Sequence, residues 1–200
     1  MPSESLTAPT RPVQTILQLF RDRGTSAYGG EAVTQEEHAL QAAASAMADG
    51  ADDTLIAAAL LHDIGHLLHD LPADAPEGGI DDHHENSGSR FIETIFGPEV
   101  CEPVRLHVAA KRYLTAVEPE CMAKLSEPSV TSLMLQGGPM SAAEQEKFRA
   151  HPHWEAAVRL RRYAAYGREA SVCPGRPLTC DRVPGSGRGR NVGLSIPRSP

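Results

Sequence analysis

Five residues in this sequence have the types and spacing of a metal site. His62 and Asp63 follow an apolar helical run, whereas His38, His84 and His107 each fall on or beside another predicted helix. An imidazole suits iron, zinc or copper, and a carboxylate bridges two cations with its two oxygens. A lone histidine is more often a surface residue, but an aspartate buried beside histidines is costly without a cation. The combined pattern therefore predicts a two-metal site inside a helical bundle.

The elements that must position these residues are predicted to be helices. Apolar residues recur at helical spacing, and no alternating run rich in β-branched residues occurs, so the expected fold class is all-α. Thr34 with Glu37, and Ser141 with Glu144, have the spacing of capping boxes. Helices are predicted over about 13–23, 34–49, 53–68, 84–96, 98–111, 119–125, 128–135, 141–150 and 154–166.

Composition narrows the possible partners and location. The formal net charge is −7, and no basic run precedes the C-terminal segment, which argues against nucleic acid. No apolar stretch reaches the length of a membrane span, and the N-terminus lacks the apolar core of a signal peptide. The four cysteines are scattered, which favours reduced thiols. We therefore expect a cytoplasmic protein without membrane or nucleic-acid partners, a monomer or a weak homo-oligomer.

The two ends of the chain differ in character from its middle. We expect residues 1–10 to be a disordered lead-in, 11–168 to form one helical domain, and 169–200 to form a tail. From position 171 onward the chain has five prolines, five glycines and five arginines against one acidic residue, Asp181. This composition predicts a flexible tail. An alternative is that the tail is aberrant, since out-of-frame reading of a GC-rich gene gives such a composition.

Several sequence stretches resemble the HD-domain superfamily, whose usual members are metal-dependent phosphohydrolases. The fuller match is narrower. The chain resembles the HD-domain mixed-valence di-iron oxygenases that cleave carbon–phosphorus bonds in hydroxylated phosphonates, relatives of myo-inositol oxygenase. The stretches are YGGEAVTQEEH (28–38), ALLHDIGH (59–66), HHENSG (83–88), HVAAKRYL (107–114) and LQGGPM (135–140).

The resemblance implies an HD-domain bundle with a central di-metal site, and it implies which residues hold the metals. His38, His62 and Asp63 would hold one iron. Asp63 would bridge to a second iron, which His84 and His107 would bind. The implied cofactor is an Fe(II)/Fe(III) pair, with dioxygen as co-substrate.

The resemblance also implies how substrate is bound. Lys111 and His66 would bind phosphonate oxygens and, with Asp63, form the expected catalytic set. Lys111 lies one helical turn after His107, so both side chains should face one cavity. His69, His83, His151 and His153 do not fit the pattern and are expected at the surface. The other implied substrate contacts are hydrogen bonds from Ser129 and Gln136 and a mobile lid that carries Tyr28 and Glu31.

The function implied by the resemblance is oxidative carbon–phosphorus cleavage. A 1-hydroxyphosphonate of the 2-amino- or 2-trimethylammonio-1-hydroxyethyl type would yield phosphate and a carboxylic acid. One departure argues for impaired activity, because Ala164 stands where the family carries a metal-binding aspartate. Two alternatives stay open: a metal-dependent phosphohydrolase using the same ligands, and a non-catalytic phosphonate-binding helical module.

Overall fold

The computed structural model describes residues 11–29, 32–72, 75 and 78–166. Within these residues it contains nine α-helices, one short 3-10 helix at Ile64–Leu67 and no β-strand, which confirms the predicted fold class. The α-helices are α1 (Arg11–Arg23), α2 (Gln35–Ala48), α3 (Asp53–Leu61), α4 (His84–Ile92), α5 (Pro98–Val117), α6 (Pro119–Ala123), α7 (Glu127–Leu135), α8 (Ala142–Arg149) and α9 (Trp154–Tyr166).

Local signals set several helix starts. Thr34 caps α2 and Ser141 caps α8, each with the reciprocal glutamate bond of a capping box, as predicted. The helix predicted over 53–68 is wrong in one respect: α3 ends at Leu61 and the 3-10 helix follows after Asp63. Successive residues of an unbroken α-helix point about 100° apart. The break therefore lets two neighbouring side chains turn towards one place.

Helix α5 lies at the centre of the bundle. It packs against α9, α4 and α3. Helix α2 in turn packs against α9 and α3. The contacts between these helices are made largely by small or branched side chains that are almost fully buried. They include Ala42, Ala46, Ala58, Val104 and Leu160. Such small side chains let helix axes approach closely, so the inner helix faces come near one another.

A second apolar cluster packs α8 and α9 against α5. Its buried residues include Leu114 and Phe148. The ring of Tyr113 lies 5.2 Å from Phe148 and 5.9 Å from Trp154, between centroids. Aromatic pairs at such distances contribute roughly 0.5–1.5 kcal/mol beyond the area they bury. This cluster holds α9 in register with α5.

The 3-10 helix and the start of α4 cross at two glycines. A Cβ placed on Gly65 would lie 2.0 Å from the backbone carbonyl oxygen of His84, and one on Gly88 would lie 3.1 Å from the backbone nitrogen of Gly65. Only a residue without a side chain permits this approach. The crossing sets the position of the first turn of α4.

Three further expectations concern location and the chain ends. None of the helices within the described ranges has both the length and the apolar character needed to cross a membrane. Cys101 and Cys121 are buried thiols. The predicted lead-in (1–10) and tail (169–200), with the remaining two cysteines, lie outside the described residues.

Replacing Gly65 with alanine should destabilise the fold by about 1–3 kcal/mol, because the added methyl group meets backbone that cannot rotate aside. Urea unfolding measures the loss. Gly97→Ala is the matched control, since a Cβ there meets only the carboxylate end of Glu99, at 2.7 Å, which can rotate away. Equal unfolding midpoints for the two variants would contradict the expectation.

Candidate metal centre

Four imidazoles surround the Asp63 carboxylate in the interior of the bundle. His38 Nε2 lies 3.4 Å and His62 Nε2 2.9 Å from Asp63 Oδ2. His84 Nε2 lies 3.5 Å and His107 Nε2 3.2 Å from Asp63 Oδ1. All five side chains are buried. Each carboxylate oxygen therefore faces one pair of imidazoles, and the five residues predicted as metal ligands do converge.

Each ligand is delivered by the end or the inner face of a different element. His38 lies in α2, His62 caps the C-terminus of α3, and Asp63 occupies the break before the 3-10 helix. His84 is the first residue of α4, and His107 lies midway along α5. No sheet or loop is needed, because the packing of four helices brings these positions together.

Bonds to the outer ring nitrogens fix which nitrogen faces inward. His62 Nδ1 donates to the carbonyl oxygen of Ala59 at 2.8 Å, and His107 Nδ1 donates to that of Val104 at 2.7 Å. A carbonyl oxygen only accepts hydrogen bonds, so in the neutral rings the hydrogen sits on Nδ1. The Nε2 atoms of His62 and His107 then present lone pairs to Asp63, which is the usual arrangement behind a metal-binding histidine.

Burial favours the neutral form of three of these imidazoles. It lowers the pKa of His84 to about 3, helped by the nearby charge of His66, and that of His38 to about 4. Burial also lowers the pKa of His107. Burial alone would raise the pKa of Asp63, but the surrounding imidazoles, His62 first, hold it well below its usual range. At neutral pH Asp63 is thus an anion beside the neutral rings of His38, His84 and His107.

This donor set fits metal cations. The Nε2 atoms of His38 and His62 lie 3.2 Å apart, and those of His84 and His107 lie 3.1 Å apart. Two nitrogens bound at about 2.1 Å to one ion lie roughly 3.0–3.4 Å apart for right-angled to tetrahedral geometry. Lone pairs and carboxylate oxygens buried at such spacing repel each other unless a cation lies between them. Within the described residues, two groups built on Asp63 have this spacing, His38–His62–Asp63 and Asp63–His84–His107. A third group that could hold an ion, His66–Asp82–His84, shares His84 with the second.

Comparison with known proteins identifies the family. The sequence model of the HD-domain family matches residues 36–141 of the chain. The chain is 40% identical over 160 residues to 1-hydroxy-2-(trimethylamino)ethylphosphonate dioxygenase (glycine-betaine-forming) of Leisingera caerulea, covering 80% of this chain and 82% of the relative. It is 44% identical over 156 residues to hydroxymethylphosphonate dioxygenase of Gimesia maris, covering 78% and 77%.

The chain belongs to the phosphonate-degrading HD-domain oxygenases. Of the functions weighed from the sequence, the oxygenase is the one confirmed. The metal ligands expected of this HD-domain oxygenase are the five residues that the structure gathers around Asp63.

A cavity of about 210 Å³ opens onto the metal centre. It is smaller than the roughly 300–1,000 Å³ of sites for drug-sized ligands, which suits a small polar molecule. Its inner wall includes His107, Lys111 and His66, and Ser129 and Gln136 also line it. The predicted substrate-binding residues among these therefore face one cavity. Leu71, Ile80 and Leu135 form part of an apolar outer wall.

The ammonium group of Lys111 is buried beside the metal centre. Its Nζ donates to Ser132 Oγ at 3.1 Å. Burial, and then the charge of Arg161, lower the pKa of Lys111 to about 7. A cation held in this way gains more from an anionic ligand than a solvated surface lysine would.

Arg161 is a cavity residue that the sequence analysis missed. It lies on α9 and faces the cavity, whereas Arg159 and Arg162 of the same helix pair with Asp49 and Glu118. Within the described residues no carboxylate forms an ion pair with Arg161. The sequence contains one indication that Arg161 faces the cavity: it lies one helical turn before the position expected to carry a metal-binding aspartate. Three arginines on one helix could not be told apart without the packing.

Tyr28 covers the outer side of one metal group. Its ring stacks on that of His38 with centroids 3.9 Å apart, and the residue lines the cavity. This position agrees with the predicted lid. Glu31, the other predicted lid residue, lies outside the described residues.

Ala164, where the sequence departs from the family pattern, contributes no ligand to the candidate metal centre. Ala164 is 2% exposed on α9, three residues after Arg161 and on the same side of the helix. Among the residues that the structure describes, no further carboxylate joins the His38–His62–Asp63 group. Among these residues both groups, His38–His62–Asp63 and Asp63–His84–His107, therefore have three protein ligands.

The expectation that His69 is a surface residue is wrong. Its Nε2 bonds to Asp82 Oδ2 at 3.0 Å, and the residue lines the cavity. Asp82 was not singled out from the sequence, because it lies in a segment predicted as an ordinary loop. His83, by contrast, is exposed as expected.

Asp63→Asn should remove metal from both groups, because the amide loses the charge and keeps only one acceptor oxygen. We expect metal affinity to fall by more than the roughly 10–100-fold seen when only the partners of ligands are changed. Metal analysis after anaerobic loading with Fe(II) and dialysis measures the loss.

Asp70→Asn is the control for Asp63→Asn, since the Asp70 side chain is 88% exposed and pairs only with Arg23 at the surface. Circular dichroism verifies that both variants fold. Unchanged metal content in Asp63→Asn would mean that the cluster is not the metal centre.

Proposed function

We propose that this oxygenase cleaves the carbon–phosphorus bond of a 1-hydroxyphosphonate with dioxygen. The hydroxylated carbon would lose its bonds to hydrogen and phosphorus and become a carboxylic acid, while phosphorus leaves as phosphate. One molecule of dioxygen balances both products. The observation that carries this proposal is the cavity in which the buried Lys111 and the partly buried Arg161 adjoin a cluster of candidate metal ligands.

Two iron ions, as a mixed-valence Fe(II)/Fe(III) pair, are the proposed cofactor. His38 and His62 would hold one ion and His84 and His107 the other, with Asp63 between them. Bound there, the iron pair would supply the activation of dioxygen, chemistry that no amino-acid side chain provides. The protein contributes the fixed spacing of the ligands and a buried, charged cavity.

Three side chains are suited to bind the phosphonate group. Lys111 and Arg161 provide positive charge at the inner wall, and the His66 ring stacks on that of His84 with centroids 3.9 Å apart. A planar guanidinium binds two oxygens of one group, and an ammonium acts as a point charge. These residues would place the hydroxylated carbon next to the metal centre. Ser129 and Gln136 would add hydrogen bonds, and the buried Gln136 Oε1 has no partner among the described residues.

The substituent on the hydroxylated carbon would extend away from the cations. The relative of Leisingera caerulea is named for a substrate with a trimethylammonium group, and that of Gimesia maris for hydroxymethylphosphonate. The proposed substrates are therefore of the 2-amino- or 2-trimethylammonio-1-hydroxyethylphosphonate type or smaller. Tyr28 and Glu31 would meet an amino or ammonium group, since aromatic rings and carboxylates attract cations.

We infer that Ala164 makes the two metal groups unequal. Each group has three protein ligands among the described residues, but the resemblance places a further aspartate of the His38–His62–Asp63 group at position 164. The Asp63–His84–His107 group would therefore hold its ion, and the other group would hold its ion weakly. A charged ligand lost from a buried site leaves cationic charge uncompensated. The activity of this chain would accordingly be lower than that of an enzyme with aspartate at this position.

The function is tested by incubating protein loaded with Fe(II) with dioxygen and a panel of phosphonates, and measuring released phosphate. We expect release from 1-hydroxyphosphonates, at a rate that rises in Ala164→Asp because the restored carboxylate completes the metal site. The panel comprises hydroxymethylphosphonate and the 2-amino and 2-trimethylammonio compounds, with methylphosphonate as the substrate that lacks the hydroxyl group.

The outcomes separate the alternatives. Phosphate released from phosphate esters without oxygen consumption would indicate a hydrolase, in which metals activate water. Binding of hydroxyphosphonates without turnover, in both the wild type and Ala164→Asp, would indicate a binding module. Either result would overturn the proposed oxygenase reaction.

Phosphonate binding should weaken as pH rises through about 7. Lys111 is protonated below its pKa of about 7 and loses its charge above it. Each pH unit beyond the pKa should raise the Kd of methylphosphonate by up to about tenfold. The affinity is measured by competition against substrate in protein loaded with Fe(II).

Lys111→Arg separates this effect from ionisation of the phosphonate itself, because a guanidinium stays charged at all relevant pH values. The ratio of wild-type to Lys111→Arg Kd should rise above pH 7. Lys147→Arg, at an exposed position on α8, is the matched control. A ratio that stays constant from pH 6 to pH 9 would exclude Lys111 as the titrating group.

A further inference from the structure

Asp82 is a second carboxylate that bonds to imidazoles, and it is partly buried. Its side chain is 14% exposed and lies just before α4. Oδ1 accepts from His84 Nδ1 at 2.7 Å and from the His84 backbone N–H at 3.2 Å. Oδ2 accepts from His66 Nδ1 at 2.7 Å and from His69 Nε2 at 3.0 Å. One side chain thus bonds to three rings with its two oxygens.

We propose that Asp82 is a positioning residue that joins the metal-binding ring of His84 to the phosphonate-binding ring of His66. The inference rests on the proposed function for the role of His66, but not for that of His84. Neither the predicted ligand set nor the predicted substrate contacts include Asp82. Its position between the two sets is what the structure adds.

The bonds to Asp82 decide which ring nitrogens face the centre. Carboxylate oxygens accept, so His84 and His66 must each donate from Nδ1. His84 Nε2 is then left bare and directed at Asp63 Oδ1, 3.5 Å away. Nε2 is the nitrogen that His66, which lines the cavity, has left for substrate. To bind a phosphonate oxygen, Nε2 must also carry a hydrogen, and the Asp82 carboxylate balances the charge of such a ring. A single carboxylate therefore fixes the tautomer of His84 and the orientation of His66.

Stacking makes the two rings one mechanical unit. The His66 and His84 rings lie nearly parallel, at 24° and with centroids 3.9 Å apart. Each is held at its edge by one oxygen of Asp82. A shift of one ring would displace the shared carboxylate and with it the other ring. Binding of metal at His84 should thus favour the orientation of His66 that receives a phosphonate, and the reverse holds by linkage.

Asp82→Asn tests the proposal with little change in shape, because an amide nitrogen cannot accept a bond from an imidazole. We expect the affinity for Co²⁺, measured by competition with a chelator, to fall about 10–100-fold. The visible absorption of bound Co²⁺ should also change, since it reports the ligand geometry. The affinity of the Co²⁺-loaded protein for methylphosphonate should fall as well.

A double-mutant cycle with His66→Ala separates positioning from a general structural role. If Asp82 acts on phosphonate through His66, Asp82→Asn should lower methylphosphonate affinity in the wild type but not in the His66→Ala background. The loss of Co²⁺ affinity, which runs through His84, should persist in both backgrounds. Asp70→Asn, an exposed carboxylate of the same segment, is the control and should leave both affinities unchanged.

The outcomes are decisive for the proposal and independent of carbon–phosphorus cleavage. Equal affinities in the wild type and Asp82→Asn, or a methylphosphonate effect undiminished by His66→Ala, would overturn it. If Asp82→Asn does not fold, Asp82→Glu replaces it in the double-mutant cycle with His66→Ala. Glutamate keeps both acceptor oxygens but displaces them from the rings. Failure of the phosphate-release assay alone would overturn the proposed reaction and leave the role of Asp82 towards His84 standing.

Discussion

The structure depends on one electrostatic constraint: the buried Asp63 carboxylate lies among four buried imidazoles, each with its Nε2 atom within 3.5 Å of a carboxylate oxygen. Nitrogen and oxygen acceptors at such spacing repel one another in a buried setting unless cations separate them. The helices must therefore deliver ligands to fixed places rather than merely pack apolar faces. The break between α3 and the 3-10 helix, and the glycine crossing at Gly65, are both consequences of that requirement.

Membership of the oxygenase family and the activity of this particular chain are separate questions. The HD-domain match and the two phosphonate dioxygenase relatives establish the family. The ligand set bears on activity. Asp63, in the break after α3, joins His84 of α4 and His107 of α5 in one group, and His38 of α2 and His62 at the end of α3 in the other. Ala164, buried on α9, adds no ligand to either group.

The lining of the cavity combines cationic and apolar side chains. Lys111 and Arg161 line it together with Asp63, His84 and His107, and so do apolar residues such as Ile80, which is 47% exposed. A small molecule with an anionic head and a compact substituent is complementary to this lining. Asp82 fixes the orientation of two rings that line this cavity. One of its oxygens bonds to His84 on the metal side, and the other bonds to His66 on the substrate side. The ligand set alone does not distinguish an oxygenase from a hydrolase, and the family relatives make that distinction.

The sequence by itself determined the helical class, the capping boxes and the five residues that converge in one buried cluster. These follow from local periodicity and from residue types that are costly to bury unpaired, which a one-dimensional pattern records. The departure at Ala164 follows from the resemblance to the family and not from periodicity. It did not determine the role of Arg161, which shares a helix with two other arginines, or that of Asp82, which lies in an unremarkable loop. Distances between residues far apart in the chain decide which arginine of α9 faces the cavity. They also decide which carboxylate bonds to three imidazole rings. Only the packing of α9 and the 3-10 helix around α5 decided those distances.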